Sequence, residues 1–170
     1  ELNRGDMLMV VKNNYYWREV LGREDKSILE KLDFIANGDV AEVVRVGGVE
    51  EMYGFRYADV TLSLLDYDAC ELDVKIMLDT LSSDSPSLTR EENERLFSAV
   101  WNDYPEIKSK RKRMEAVRSN PYYNALQVKY GYAVTCHKAQ GGQWKRVFID
   151  QGYVTEEMMT ADYYRWLYTA

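Results

Sequence analysis

The chain has 170 residues and a formal net charge of −6, from 22 Lys and Arg against 28 Asp and Glu. Hydrophobic residues make up 46% of it, and only ten glycines and three prolines occur, which excludes collagen-like, low-complexity and fully disordered chains. The sequence holds no apolar run of the roughly 18 residues that a membrane span needs. We therefore expect a small globular chain of one domain, or of one domain carrying a small insertion, without a membrane partner.

The first half of the chain has the pattern of short β-strands. Apolar or alternating runs lie at 7–11, 40–46, 55–65 and 70–78, and turn signals such as Asn37-Gly38 separate them. Short strands at this spacing favour a small β-barrel over a parallel sheet.

The middle of the chain changes to a helical pattern. Thr89 and Glu92 have the spacing of a capping box, which predicts a helix start there. The apolar stripe that follows consists of Leu96, Phe97, Val100 and Trp101. That stripe predicts one buried helical face, and Pro105 predicts its end.

Positive charge is concentrated beyond this helix. Between Pro105 and Val147 the sequence holds ten basic and two acidic residues, so this part carries +8 while the remainder carries −14. Residues 108–118 (KSKRKRMEAVR) form the densest block, which fits either a solvated helix face or a nucleic-acid surface. The overall acidity argues against a free-standing nucleic-acid binder of high affinity.

The last third of the chain has an α/β pattern. We expect a strand over 126–135 and a second, fully covered strand at 147–149, because its apolar run is continuous. A helical pattern begins near Thr160. The two cysteines, Cys70 and Cys136, are too few for a disulfide framework, and with a single histidine they do not make a zinc site. We expect buried thiols in a reducing cytoplasm.

Polar and basic groups follow the strand that we predict to end at Thr135. A hydroxyl, an imidazole (His137) and an ammonium (Lys138) come first, and Gly141-Gly142 then allows close approach of the backbone. At the end of a strand these groups suit a phosphate oxygen. The loop is not a P-loop, because the spacing G-x-x-x-x-G-K-[ST] does not occur in the chain.

The pattern Thr135-x-His137-Lys138-x-Gln140-Gly141-x-x-Trp144, followed by Val-Phe-Ile-Asp, resembles motif V of superfamily 1 helicases of the RecD-like type. The sequence RWLYTA at 165–170 resembles the opening of motif VI. Residues 5–15 and 37–46 resemble the SH3-like barrel that these helicases insert into their second RecA-like domain.

The resemblance implies roles for individual residues in the loop. The DNA-binding residues that it implies are Thr135, His137 and Lys138, which would face the phosphates of single-stranded DNA. The nucleotide-binding residues that it implies are Gln140, Gly141 and Gln143, which would lie toward the ATP cleft. Many relatives carry Glu where Gln143 stands, and Gln keeps the hydrogen-bonding capacity for a nucleotide ribose but not the charge.

The ends of the chain predict that it is a piece of a longer polypeptide. It begins with Glu1, and it stops within a helical pattern. The fold class we expect is mixed α/β, with an SH3-like β-barrel at 1–80, a helical connector at 81–120 and an incomplete RecA-like portion at 121–170. No catalytic residue and no metal site is expected within this piece, so it should be inactive alone.

The parent protein implied by the resemblance is an ATP-dependent DNA helicase that uses ATP and Mg²⁺. Its partners would be single-stranded DNA, the remaining helicase domains of the parent chain and the subunits of a repair complex. Two alternatives stay open. One is a β-barrel interaction module with a degenerate helicase-like tail, and the other is an RNA-directed helicase of the same superfamily.

Overall fold

The computed structural model describes residues 2–135 and 146–169. It divides into two compact units, Glu1–Tyr132 and Ala133–Ala170. The strands of the first unit are β1 (Met7–Val10), β2 (Val40–Met52), β3 (Phe55–Leu64), β4 (Cys70–Met77) and β5 (Leu126–Tyr130). Its helices are α1 (Tyr16–Glu24), α2 (Lys26–Lys31), α3 (Asp79–Ser82), α4 (Arg90–Asn102) and α5 (Lys110–Arg118). The described part of the second unit holds a 3₁₀ turn, Glu156–Met158, and α6 (Ala161–Thr169).

The five strands form a closed barrel in chain order. Strands β1 to β4 pair antiparallel with their sequence neighbours. β5 then pairs antiparallel with β1, with Leu8 opposite Tyr130, and parallel with β4, with Ile76 opposite Leu126. The structure therefore confirms a small β-barrel in a mixed α/β chain.

In a closed ring of five strands, the strand directions cannot alternate at every pairing. At least one pair of neighbouring strands must therefore be parallel. Parallel neighbours need a long crossover connection, and residues 78–125 supply it between β4 and β5. Helices α3, α4 and α5 all lie in this crossover. The helical segment therefore leaves the barrel and returns to it.

Apolar side chains from the strands fill the barrel, and helices α1 and α2 add to the same cluster. Fully buried members of the cluster include Leu8, Val43, Leu62, Leu72, Ile76 and Val128. Trp17 of α1 is buried against them, and its indole N–H donates to the Asn124 carbonyl, 2.9 Å away. This bond ties α1 to the residues that lead into β5.

The predicted capping box of α4 is confirmed. The Thr89 hydroxyl accepts from the N–H of Glu92 (3.2 Å), and the Glu92 carboxylate accepts from the N–H of Thr89 (2.8 Å). Leu96 and Val100 are buried in a second apolar cluster with Phe55 and other barrel residues. The helix ends before Pro105, as predicted. Because Leu96 and Val100 are buried against barrel residues, α4 packs one face on the outside of the barrel.

The predicted strand over 126–135 is wrong in its second half. β5 ends at Tyr130, and the N–H of Gly131 donates to the Met7 carbonyl (2.7 Å). Met7 is the first residue of β1, so β1 has no further residue with which β5 could pair. Residues 133–135 are exposed and carry no strand.

The predicted covered strand at 147–149 is also wrong. Val147, Phe148 and Ile149 are 54%, 94% and 40% exposed and are not in a strand. A strand needs a neighbour with free backbone groups, and residues 146–169 contain no second strand that could pair with it. The helix predicted near Thr160 is confirmed by α6.

Of the two cysteines, Cys70 is a free thiol and is buried at 6% exposure, as predicted. Cys136 lies outside the described residues. Within residues 2–135 and 146–169, every helix is too short or too polar to cross a bilayer.

A charged network lies on one wall of the barrel. The ammonium of Lys75 on β4 lies 2.6 Å from a Glu50 carboxylate oxygen and 2.7 Å from one of Asp59. The Tyr122 hydroxyl donates to the other oxygen of Glu50 (2.9 Å), and the ammonium lies 4.8 Å from the ring centre of Tyr122. Burial favours the neutral amine, but the two carboxylates outweigh it and raise the pKa of Lys75. The network joins β2, β3 and β4 to the segment before β5.

We expect Lys75→Met to lower the free energy of unfolding by about 1–2 kcal/mol. The side chain of Lys75 is only 8% exposed, but its partners are half-exposed and can rehydrate. The cost is therefore smaller than that of breaking a fully buried pair. Urea denaturation of the chain measures it. Arg45→Met is the matched control, because the ion pair of Arg45 with Asp73 is exposed and its loss should cost less than about 0.5 kcal/mol.

The difference in the free energy of unfolding between the wild type and Lys75→Met should depend on pH. Hydrogen bonds from Lys75 and Tyr122 lower the pKa of Glu50 below its usual value of 4.5. A lowered carboxyl pKa stabilises the fold above pH 4.5, and this contribution is lost as the pH falls through the folded-state pKa. The two proteins should therefore differ fully at pH 7 and converge in acid. An undiminished difference in acid would contradict this network.

Candidate nucleic-acid interface

The chain leaves the barrel at a fixed point before the loop that resembles motif V. Beyond the bond from Gly131 to Met7, the Tyr132 hydroxyl donates to the Asp6 carboxylate at 2.6 Å. This bond lowers the pKa of Asp6 and raises that of Tyr132. The Tyr132 ring stacks on Tyr130 with 6.0 Å between ring centres. Tyr132 is the last residue of the first unit, so these contacts anchor the chain directly before the second unit begins.

Of the six predicted site residues, the structure describes one. Thr135 is exposed, so its hydroxyl is open to a ligand. The other five, His137, Lys138, Gln140, Gly141 and Gln143, lie outside the described residues, as does Trp144. Their contacts with one another and with Thr135 stay predictions.

The segment after this loop is held to α6 within the second unit. Asp150 accepts a hydrogen bond from the Gly152 N–H at 2.9 Å, and Gly152 adopts a left-handed φ of 62° in that turn. The Tyr163 hydroxyl of α6 donates to Gln151 at 2.7 Å. On the same helix Arg165 pairs with Asp162 at 2.8 Å. Both partners are highly exposed, so this pair adds little stability.

The basic block predicted at 108–118 folds as α5. Ser109 caps the helix by accepting from the Lys112 N–H. Lys108, Lys110 and Lys112 are exposed and form no ion pair with any residue that the structure describes. Arg111 pairs with Glu115, and both side chains are exposed. The block is a solvated helix face, and it presents a concentrated positive charge.

Arg113 does not belong to this solvated face. Two guanidinium nitrogens donate to the Trp101 carbonyl at 2.9 and 2.6 Å, and the guanidinium lies 4.5 Å from the centre of the Trp101 ring. The carbonyls of the last helical turn lack partners within their own helix. At the end of α4 the Trp101 carbonyl also accepts from the Tyr104 N–H at 3.3 Å. Arg113 adds two shorter, charge-assisted hydrogen bonds to this carbonyl and so joins α4 to α5.

A cleft of about 390 Å³ lies beside this joint. Its lining residues are Phe97, Ser98, Trp101, Asn102, Lys110 and Met114. The Phe97 and Trp101 rings stack with 5.7 Å between their centres. The spacing predicts that both rings belong to the buried stripe with Leu96 and Val100, but in the structure both are partly exposed. Phe97 and Trp101 each follow a buried residue of the stripe by one position and so lie along one edge of it. That offset is the sequence feature that could have distinguished them from the buried residues.

Comparison with known families supports the helicase resemblance for one part of the chain. A family model described as the UvrD-like helicase C-terminal domain matches residues 130–170. The match includes the loop from Thr135 to Trp144 and α6, and it begins at the last residue of β5. No curated protein matches the chain. Residues 130–170 thus resemble the C-terminal domain of a superfamily 1 helicase.

Arg113→Ala should lower the free energy of unfolding by about 1–3 kcal/mol. The Trp101 carbonyl loses two charge-assisted hydrogen bonds, and the Trp101 ring loses its cation–π contact with the guanidinium. Lys112→Ala is the matched control on the exposed face of α5, and we expect a change within about 0.5 kcal/mol. Urea denaturation followed by circular dichroism measures both. Equal losses from the two variants would show that Arg113 does not join the helices.

Proposed function

We propose that this chain is part of an ATP-dependent DNA helicase of the RecD-like type, which couples ATP hydrolysis to movement along single-stranded DNA. The observation that carries the proposal is the match of residues 130–170 to the UvrD-like helicase C-terminal domain. The match contains the loop whose sequence resembles motif V. The closed barrel that precedes it is consistent with the SH3-like insertion of these helicases.

In this proposal the loop contacts DNA at its start and nucleotide at its end. Thr135, His137 and Lys138 bind the phosphates of a single strand, and the exposure of Thr135 supports that role. The nucleotide side of the loop consists of Gln140, Gly141 and Gln143. A loop with these two contacts would transmit closure of the nucleotide cleft to the DNA.

The phosphate-binding spacing G-x-x-x-x-G-K-[ST] does not occur in the sequence. We therefore propose that ATP and Mg²⁺ bind between this chain and other helicase domains of the parent. The nucleotide would supply the energy for movement. Without those domains the chain should neither hydrolyse ATP nor unwind DNA.

The proposed organisation follows from the same resemblance. The barrel is the SH3-like insertion, and residues after β5 belong to a RecA-like domain that needs further strands. Partners are single-stranded DNA, the rest of the parent chain and subunits of a repair complex. The free, buried thiol of Cys70 is consistent with a reducing, cytoplasmic location.

Replacing Thr135 and His137 by Ala in the full-length protein should weaken single-strand binding and DNA-stimulated ATP turnover. One to two phosphate contacts are lost, whereas the nucleotide side of the loop is unchanged. Turnover with and without oligothymidylate measures the effect, together with nucleotide affinity. Glu157→Ala, an exposed change in the same unit, is the control. Unchanged DNA stimulation in the double variant would contradict the assignment and favour an interaction module.

The choice of DNA over RNA is tested separately. Matched DNA and RNA oligonucleotides compete for the full-length protein, and we expect DNA to bind at least as tightly. A clear preference for the strand with 2′-hydroxyls would overturn the DNA assignment in favour of an RNA-directed helicase.

A further inference from the structure

We propose that the cleft between α4 and α5 is a second binding site for single-stranded DNA, separate from the loop at Thr135. Bases would lie against Phe97 and Met114 in the cleft, and phosphates would contact Lys110 at its edge and Lys108 just before the helix. The choice of DNA as the occupant rests on the proposed function. The site itself is built only from residues of the barrel unit.

The first argument is the chemistry of the cleft. Its volume of about 390 Å³ lies within the range of ligand sites. Apolar and aromatic side chains make up most of its lining, which suits the flat face of a base. Single-stranded nucleic acids bind to such surfaces by stacking on aromatic rings next to a positively charged groove. One face of Trp101 is covered by Arg113, so Phe97 is the ring that we assign to the base.

The second argument is the charge beside the cleft. Lys110 lines the cleft itself, and Lys108, two residues before it, is exposed. Lys112 is also exposed, but at two positions beyond Lys110 it lies on a different face of α5 from the lining residues Lys110 and Met114. None of the three pairs with an acid among the described residues. Two acids lie in the turn between the helices: Glu106 is exposed, and Asp103 accepts a hydrogen bond from Tyr53. The lysines are therefore available to phosphates, whereas one of the two neighbouring acids is already bonded to the barrel.

The third argument comes from comparison with the rest of the surface. A larger cavity, about 740 Å³, lies on the barrel near Arg45. Its lining includes both Glu71 and Asp73, and Asp73 already pairs with Arg45. That cavity has no aromatic ring in its lining and no excess of positive charge. Of these two cavities, the α4–α5 cleft is the one that combines aromatic rings with a lysine that pairs with no described acid.

The test measures binding of labelled oligothymidylate of about 15 nucleotides to the 170-residue chain by fluorescence anisotropy over a range of salt. The variant Lys108→Gln/Lys110→Gln should bind more weakly, and the slope of log affinity against log salt should become shallower by about 1.4, about 0.7 for each lost contact. The first turn of a helix disfavours cations, so this variant should not lose stability. Lys26→Gln/Lys31→Gln on α2 is the matched control and should change neither quantity.

Stacking is tested with Phe97→Leu and an abasic oligonucleotide of the same length. The wild type should prefer oligothymidylate over the abasic strand by at least about fivefold, and the variant should lose most of this preference. Leucine keeps the side chain apolar, and the thermal midpoint checks that the fold is retained. An unchanged preference in Phe97→Leu, with the fold retained, would overturn the stacking role.

The outcome for the loop is read independently. If Thr135→Ala/His137→Ala abolishes binding while the cleft variants bind with unchanged affinity and slope, the cleft proposal fails and the helicase proposal stands. If the cleft variants lose binding that the loop variant retains, the cleft proposal stands without the loop assignment. A further outcome is that only polyglutamate displaces the DNA and that the lysine variant shows no change in salt slope. This outcome would identify a surface for acidic peptides and would overturn the DNA site.

Discussion

The parallel pairing of β5 with β4 is the constraint on which the rest of the first unit depends. Four antiparallel strands in chain order leave two open edges, and only β5 closes them by pairing with both β1 and β4. That strand lies 49 residues after the end of β4, and the helices between them must pack on the barrel that they help to close. The second apolar cluster, which includes Leu96, Val100 and Val117, results from this requirement.

The same packing decides which side chains remain available for a ligand. α4 turns Leu96 and Val100 toward the barrel, so Phe97 and Trp101 lie at the margin of the contact. Arg113 then fixes α5 against the end of α4 through the Trp101 carbonyl. Lys110 at the start of α5 consequently lines the same cleft as the Phe97 and Trp101 rings. The same pair of helices, α4 and α5, thus belongs to the connection that closes the barrel and also forms the candidate binding surface.

Local signals in the sequence predicted local structure well. The strands over the first half and the capping box at Thr89 depend on neighbouring residues and are confirmed, although β2 runs on to Met52 beyond the predicted 40–46. For the basic block, the solvated helix face was one of two interpretations that the sequence left open. Features that depend on distant partners were not predictable in this way. The end of β5 is set by where β1 begins, and the apolar run at 147–149 has no paired strand among the described residues. The candidate loop was predicted from its resemblance, and Thr135 alone can be compared with the structure.

β5 also connects the two functional proposals physically. Tyr130 is its last residue and the first residue of the matched helicase segment. The strand is held on both edges, and Gly131 and Tyr132 extend that hold by bonds to Met7 and Asp6. A force applied to the chain beyond Tyr132 therefore acts on a strand whose removal would open the barrel. The α4–α5 crossover enters β5 at Leu126, and the segment that resembles motif V follows the other end of this strand, so both proposed DNA contacts depend on the pairing of one strand with β1 and β4.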